Sequence, residues 1–307
     1  MDTNFDDNGN YDRRNFIGTL TKAAGAAAFL SIANASGASE NINVHKQYTV
    51  QDIIDIILKE IPGAPFNQTV DTLKSGSAGQ QVTGIVTTMF ATVDIIKQAA
   101  KLKANFIIAH EPTFYNHTDD TNWVAGNKVV KAKQDLLKQH HIAVWRFHDY
   151  WHAHKPDGII YGVLKKTGWN KYYKEGQRVL QIPSTSVKDI ALHFKSSLGI
   201  EQVRVIGDLS VACTRVSVMP GAWGGQRQVT FAEAESPDVL IIGETPEWEA
   251  AEYYRDTVAL GNKKALIVLG HSVSEEPGME WLVDWLKPKV PELTVTHIAS
   301  ESPFTWV

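Results

Sequence analysis

His271 and Glu275 stand four residues apart, just after the apolar run Ala265–Leu269 and Gly270. A buried strand that breaks at Gly270 and turns into a helix places both side chains on one side, because positions i and i+4 share a helix face. An imidazole and a carboxylate held together can ligate a metal ion or move a proton. Two earlier stretches have the same form. Phe106–Ala109 runs into His110 and Glu111, and Ile142–Phe147 runs into His148, with His152 four residues further on. In a parallel α/β sheet the strand C-termini share one edge, where ligands bind.

Each of these signals has a plainer competitor. Ser272-x-x-Glu275 also spells a capping box, in which Glu275 reaches back to the Ser272 amide. His110 alone could be a buried histidine bonded to backbone, with Glu111 solvated. His140 and His141 fall at a helix end, where the dipole favours cationic imidazole, and His154 is read as surface. Pooling the three strand ends leaves His110, Glu111, His152, His271 and Glu275. Nitrogen and carboxylate oxygen without sulfur suit Zn, Mn, Fe or Co. Five donors exceed one closed tetrahedral site. They suit two ions about 3.5–4 Å apart under a bridging carboxylate, an arrangement that hydrolyses.

The elements that must position these donors alternate along the chain. Thr49 is expected to cap a helix over Thr49–Ile61. Val82–Phe90, Phe106–Ala109 and Ile142–Phe147 read as strands, with helices over Val93–Lys103 and Asn127–Gln139, the latter with a solvated Lys-rich face. Gly158–Thr167 and Ser186–Ser197 read as helices, and Lys171–Gln181 as loop or edge strand. Strands over Val203–Ile206, Thr214–Met219, Val239–Ile242 and Ala265–Leu269 follow, with helices over Val229–Glu235, Glu247–Leu260 and Glu276–Leu286 and a last strand over Leu293–Ile298. The second half echoes the first: NFIIAHE at 105–111 faces DVLIIGE at 238–244. Glu111 then matches Glu244, His148 matches His271 and His152 matches Glu275. The expected fold class is α/β, with two similar halves, each a mixed or parallel sheet with flanking helices, and a metal cleft between them. The expected division is 48–155 for the first half, 156–205 for a connecting region and 206–307 for the second half.

Composition narrows the function. The chain has 307 residues, 43% hydrophobic, with a formal charge of −4, which is core enough for such a fold and offers nothing to a nucleic-acid backbone. Cys213 is the only cysteine, so a thiolate cluster and an internal disulfide are excluded. No Walker loop, dinucleotide glycine fingerprint or nucleophile-elbow serine is present. Gly221–Gly225 (GAWGG) is read as a tight turn. At the N-terminus, Arg13-Arg14 precedes an uncharged run from Ala23 to Ala35, with small-residue cleavage sites after Ala35 or Ala38. This reads as a twin-arginine export signal over 1–38, followed by a linker over 39–47. The expected location is periplasmic or otherwise extracytoplasmic, with membrane contact only through the signal. The twin-arginine route carries folded proteins, which suits ligands that assemble only on folding.

The stretches NFIIAHEP, AVWRFHDYWH, GAWGG, DVLIIGE and LGHSVSEE resemble the Ngg-interacting-factor-three-like family, also labelled GTP cyclohydrolase I type 2 homologues. The resemblance runs from Tyr48 to the C-terminus. It implies a two-domain α/β subunit with a dinuclear centre between the halves, binding two divalent transition metal ions (Zn, Fe or Mn), and a toroidal homohexamer. The family's first motif has two successive histidines, where this chain has His110 and Glu111. Its second has a histidine and an aspartate four later, where this chain has His148 and His152. The third is intact as Gly270-His271 with Glu275. One imidazole and one carboxylate have thus changed places, which favours a retained site. By this resemblance Glu111, His152 and Glu275 would hold one ion, and His110, His271 and the bridging Glu275 the other, with His148 behind the ligands.

The resulting expectation is an exported metal-dependent hydrolase of cyclohydrolase or phosphoesterase type. It would act on a small phosphoester or cyclic amide through a metal-bridging hydroxide, with Glu244 or His148 as the proton-transfer group. GTP itself is not expected, because an exported protein would not meet the cytosolic pool. The alternative is a non-catalytic metal-binding toroidal scaffold.

Overall fold

The computed structural model describes residues 46–307. The expected export signal over 1–38, and the linker up to residue 45, lie outside the described residues. Among those described, no helix is long and apolar enough to cross a membrane.

The chain forms two five-stranded mixed sheets flanked by helices. It opens with α1 (Val50–Leu58), where Thr49 and Asp52 form a reciprocal capping box and Ile53, Ile54 and Ile57 are buried. Then come β1 (Leu73–Ser75), β2 (Ile85–Thr88), α2 (Val93–Lys101), β3 (Phe106–Ala109), α3 (Lys128–Gln139) and β4 (Ala143–Arg146). Two short helices close this half, α4 (Asp149–Ala153) and α5 (Gly158–Lys166). The second half has β5 (Leu180–Ser186), α6 (Val187–Leu198), β6 (Arg204–Ile206), β7 (Ala212–Met219), α7 (Gly225–Glu235) and β8 (Val239–Ile242). A π-helical turn at Glu247–Ala251 leads into α8 (Glu252–Ala259), β9 (Ala265–Val268), α9 (His271–Leu286) and β10 (Val295–His297).

The first sheet has the order β1-β4-β3-β2-β10 and the second β5-β7-β8-β9-β6. In the first, β10, β2, β3 and β4 are parallel and β1 is antiparallel at the edge. In the second, β7, β8 and β9 are parallel between antiparallel β5 and β6. Strands β2, β3, β4, β8 and β9 are buried along their whole length, and β3, β8 and β9 accordingly read as unbroken apolar runs. The edge position of β5 tolerates Pro183, which has no amide to donate.

Sheet membership does not follow the expected boundary at 206. The second sheet takes β5 and β6 from the region read as a connector, and β10 leaves it to pair with β2. Helix α9 makes the same crossing. It follows β9 of the second sheet, yet Met279, Leu282, Val283 and Leu286 bury in the core of the first sheet with Ile53, Ile85 and Trp151. Each such side chain contributes roughly 1.5–3 kcal/mol. Helix α5 bridges the two cores, with Ile159 in the first and Val163 and Leu164 in the second. The two helices cross at glycines: a Cβ on Gly162 would lie 2.5 Å from Gly278 Cα, and one on Gly278 would lie 2.6 Å from Ile159 Cα. The N-terminus of α9 is thereby brought over the strand ends of the first sheet.

Several local expectations are corrected. Helix α9 begins at His271 rather than Glu276, with Gly270 (φ 107°) as its cap and no side-chain cap bond. The Ser272–Glu275 capping box is therefore not formed. His154 is buried, its ring packed on Trp151, Trp281 and Trp285. Lys133 lies on the inner side of α3, with its ammonium on the Thr113 carbonyl and over the rings of Phe114 and Tyr115. Burial pulls its pKa down to about 8.

Candidate metal centre

Strand β3 ends at Ala109, and the next two residues turn their side chains to different neighbours. His110 is fully buried, with Nδ1 on the Phe147 carbonyl at 3.1 Å. Its Nε2 has no hydrogen-bond partner, and Glu275 Oε2 stands 3.9 Å away. Glu111 directs Oε1 to His271 Nε2 (3.4 Å) and His148 Nε2 (3.8 Å). Its Oε2 accepts from Arg146 at 3.3 Å.

Arg146 is the last residue of β4 and fully buried. Its guanidinium also donates to the carbonyls of His110 and His117 and lies 3.8 Å from Asp119. Arg146 therefore ties the loop after β3 to the strand beside it and leaves Oε1 of Glu111 to face His271 and His148. A charged residue inside the apolar run AVWRF must find a counter-charge when buried, and that was a usable signal in the sequence.

Past β4, the carboxylate of Asp71 accepts the backbone N–H groups of His148, Asp149 and Tyr150 at 2.8–3.1 Å. A side chain from a distant loop thus supplies the cap that α4 lacks locally. Burial raises the Asp71 pKa to about 6 despite those donors. Helix α4 then holds His148 and His152 beside His110, with ring centroids 4.7–5.1 Å apart. His148 Nδ1 bonds Asp149 and His152 Nδ1 bonds Asp157, both at 2.9 Å. Asp157 uses its other oxygen to cap α5.

From the second half, His271 places Nε2 3.1 Å from Glu275 Oε2 and Nδ1 3.6 Å from Glu244 Oε2. Glu275 is buried against the GAWGG turn, where a Cβ on Gly221 would fall 2.0 Å from its Oε1. Gly221 has φ 78°, so glycine is required there both by conformation and by space. Ser274 staples that turn to α9, accepting from Gly221 N–H at 3.0 Å.

The electrostatics follow from burial and these pairings. Desolvation, then the neighbouring His148 and His152, hold His110 well below the usual imidazole range. Desolvation also lowers His148. For His152 desolvation is outweighed by Asp157, aided by Glu275 and Glu111, and its pKa rises to about 9. For His271 desolvation is outweighed by Glu111, Glu244 and Glu275, and the pKa rises to about 12. Burial raises Glu275. Burial would also raise Glu111, but His271, His148 and Arg146 hold it low. The hydrogen bond from His271 lowers Glu244.

All five residues named from the sequence, His110, Glu111, His152, His271 and Glu275, line this one cleft, with Glu244 half-exposed at its mouth. Among the described residues two groups offer donor atoms mutually within 4.8 Å: His110 with His148 and His152, and His110 with Glu111 and Glu275. His148 stands among the donors rather than behind them. The orphaned Nε2 of His110, the Gly221 cradle and the acids that draw protons onto His152 and His271 all fit a cation: where acids stabilise extra protons, metal binding can displace them. Arg146, Asp71, Asp157 and the exposed His117, whose ring is 6.0 Å from that of His148, are the neighbours that spacing arguments missed. Arg146 and Asp71 meet partners at least 27 residues away in the chain.

Comparison with known proteins identifies the fold and the family. The Duf34/NIF3 (NGG1p interacting factor 3) model matches residues 48–303. A Clostridium perfringens protein named GTP cyclohydrolase 1 type 2 homolog is 25% identical over 275 residues, spanning 84% of this chain and 99% of its own. A Bacillus cereus protein related to NIF3 has the same fold, with a TM-score of 0.67 at 15% identity over 85% of this chain and 100% of its own. A Staphylococcus aureus hypothetical protein matches with a TM-score of 0.66 at 17% identity, over the same shares of both chains. With a family model spanning most of the sequence and two solved structures sharing its fold, this chain belongs to the Duf34/NIF3 family.

Proposed function

We propose that the cleft is a dinuclear metal centre and that the protein is a metal-dependent hydrolase of a small phosphoester or cyclic amide. The observation that carries this reading is the convergence of nitrogen and oxygen donors from both halves around the unpartnered Nε2 of His110. Bound divalent ions would acidify water and polarise a substrate oxygen. The donor set of imidazole and carboxylate supports Zn, Fe or Mn. Glu244 would pass protons between the cleft and solvent, a role supported by its half-exposure and its 3.6 Å distance from His271 Nδ1. Asp157 and Asp149 orient the imidazoles they bond. The twin-arginine pattern supports action outside the cytoplasm, and the family resemblance supports a homo-oligomeric ring.

A second reading, a metal-tied scaffold, is favoured by one observation: the donors come from both halves, so ions there would clamp the halves together. Metal content per subunit of protein purified without added metal tests both, with two equivalents expected. A protein free of transition metal, and unable to take up Zn2+ on dialysis, would sink both. His271→Ala separates them. In the hydrolase, folding and assembly survive while turnover of screened phosphoesters and cyclic amides stops. In the scaffold, assembly itself is lost.

A further inference from the structure

Nothing in the family resemblance makes His148 a ligand, yet its surroundings are those of one. All three imidazoles of the His110, His148 and His152 group have Nδ1 against an acceptor that has no proton to give. These acceptors are the Phe147 carbonyl at 3.1 Å and the Asp149 and Asp157 carboxylates at 2.9 Å. Each Nδ1 must therefore carry the hydrogen, which leaves Nε2 as the lone-pair nitrogen of the neutral ring. A second partner that fixes the tautomer in this way is the common surrounding of a metal-binding histidine. The three rings stand 4.7–5.1 Å apart, and their donor atoms lie within 4.8 Å of one another. The Nε2 of His110 is buried without a hydrogen-bond partner.

Two carboxylates also approach His110, and each faces another partner more closely: Glu275 Oε2 is 3.1 Å from His271 Nε2 against 3.9 Å from His110 Nε2. Glu111 is drawn aside by Arg146 on Oε2 and faces His271 more closely than His148 with Oε1, at 3.4 against 3.8 Å.

We propose that His110, His148 and His152 form a neutral three-imidazole site for one divalent cation, with His148 as a direct ligand. Glu111 then belongs with His271 and Glu275 to the adjoining acidic site. This rests on the reading of the cleft as a metal centre and divides its donors differently from the family pattern. The exchange that places histidine at 152 is what makes the first site free of carboxylate. A neutral nitrogen site with an open position takes Zn2+ or Co2+ in preference to Mn2+ or Mg2+.

The test uses the full chain, stripped with chelator and dialysed against Zn2+, with metal counted per subunit. Wild type is expected to hold two equivalents, and His148→Ala to hold one, with folding checked by circular dichroism. X-ray absorption of wild type loaded with a single equivalent of Zn2+ reads the site without any substitution, and three imidazoles around the ion are expected. If His148→Ala keeps both equivalents at unchanged affinity, or the first ion shows fewer than three imidazoles, this assignment falls while the dinuclear reading stands. If wild type takes up no Zn2+, both fall.

Discussion

In the first sheet β2, β3 and β4 run parallel, with β1 antiparallel beside β4; in the second β7, β8 and β9 do the same, with β6 antiparallel beside β9. Two residues past the middle strand of each trio stands a glutamate, Glu111 in one half and Glu244 in the other. Their surroundings diverge. Glu111 is buried and gripped by Arg146, whereas Glu244 is half-exposed and faces one imidazole. The first half supplies three imidazoles with their orienting partners, and the second supplies His271 and two acids. A shared scaffold thus fixes where a side chain emerges, and the neighbouring strand decides what that side chain can do.

The largest effect is expected from breaking the grip on Glu111. Arg146→Met leaves Glu111 and Asp119 without their buried guanidinium and should cost about 3–5 kcal/mol, read by chemical denaturation. Adding Glu111→Gln to that variant should recover part of the loss. Gly278→Leu attacks the crossing of α5 and α9 that joins the halves and should cost about 3 kcal/mol. Gly79→Ala, with open space around its Cα, should leave the melting temperature near wild type.

A pH series sharpens the contrast at the imidazoles. The folded pKa of His152 is raised to about 9 and that of His271 to about 12. In metal-free protein the stabilisation from His152 is complete below about pH 6.5 and is lost as pH rises through 9. The chelator-treated chain should lose on the order of 2 kcal/mol between pH 6.5 and 9. With Zn2+ present the trend should reverse, because the cation takes the place of the proton. Flat stability in both states would remove the electrostatic account of the cleft. Glu244→Gln should change stability by no more than about 0.5 kcal/mol, against a clear loss of turnover if Glu244 moves protons.

The parts of this molecule that can be read without coordinates are those whose cause is local. Phe106–Ala109, Val239–Ile242 and Ala265–Val268 are apolar because both faces of each strand are covered, and Thr49, Asn127 and Ser186 cap the helices they precede. The five cleft residues follow from the same logic, since strand ends in a parallel sheet share an edge. What escapes is what depends on a distant partner. Asp71 caps a helix nearly eighty residues later. Lys133 looks like one more surface lysine of α3 until the Thr113 carbonyl receives it. Ser272-x-x-Glu275 is a sound capping signal, overridden because His271 and the GAWGG turn claim the carboxylate.

The pairing of β10 with β2 has a consequence for biosynthesis. The first sheet waits for a strand made more than two hundred residues after its neighbour, and α9, which fills the core beneath it, is also late. Until α9 has been made, His110, His148 and His152 exist without His271 and Glu275. The full set of cleft donors therefore assembles only once α9 has docked on the first sheet.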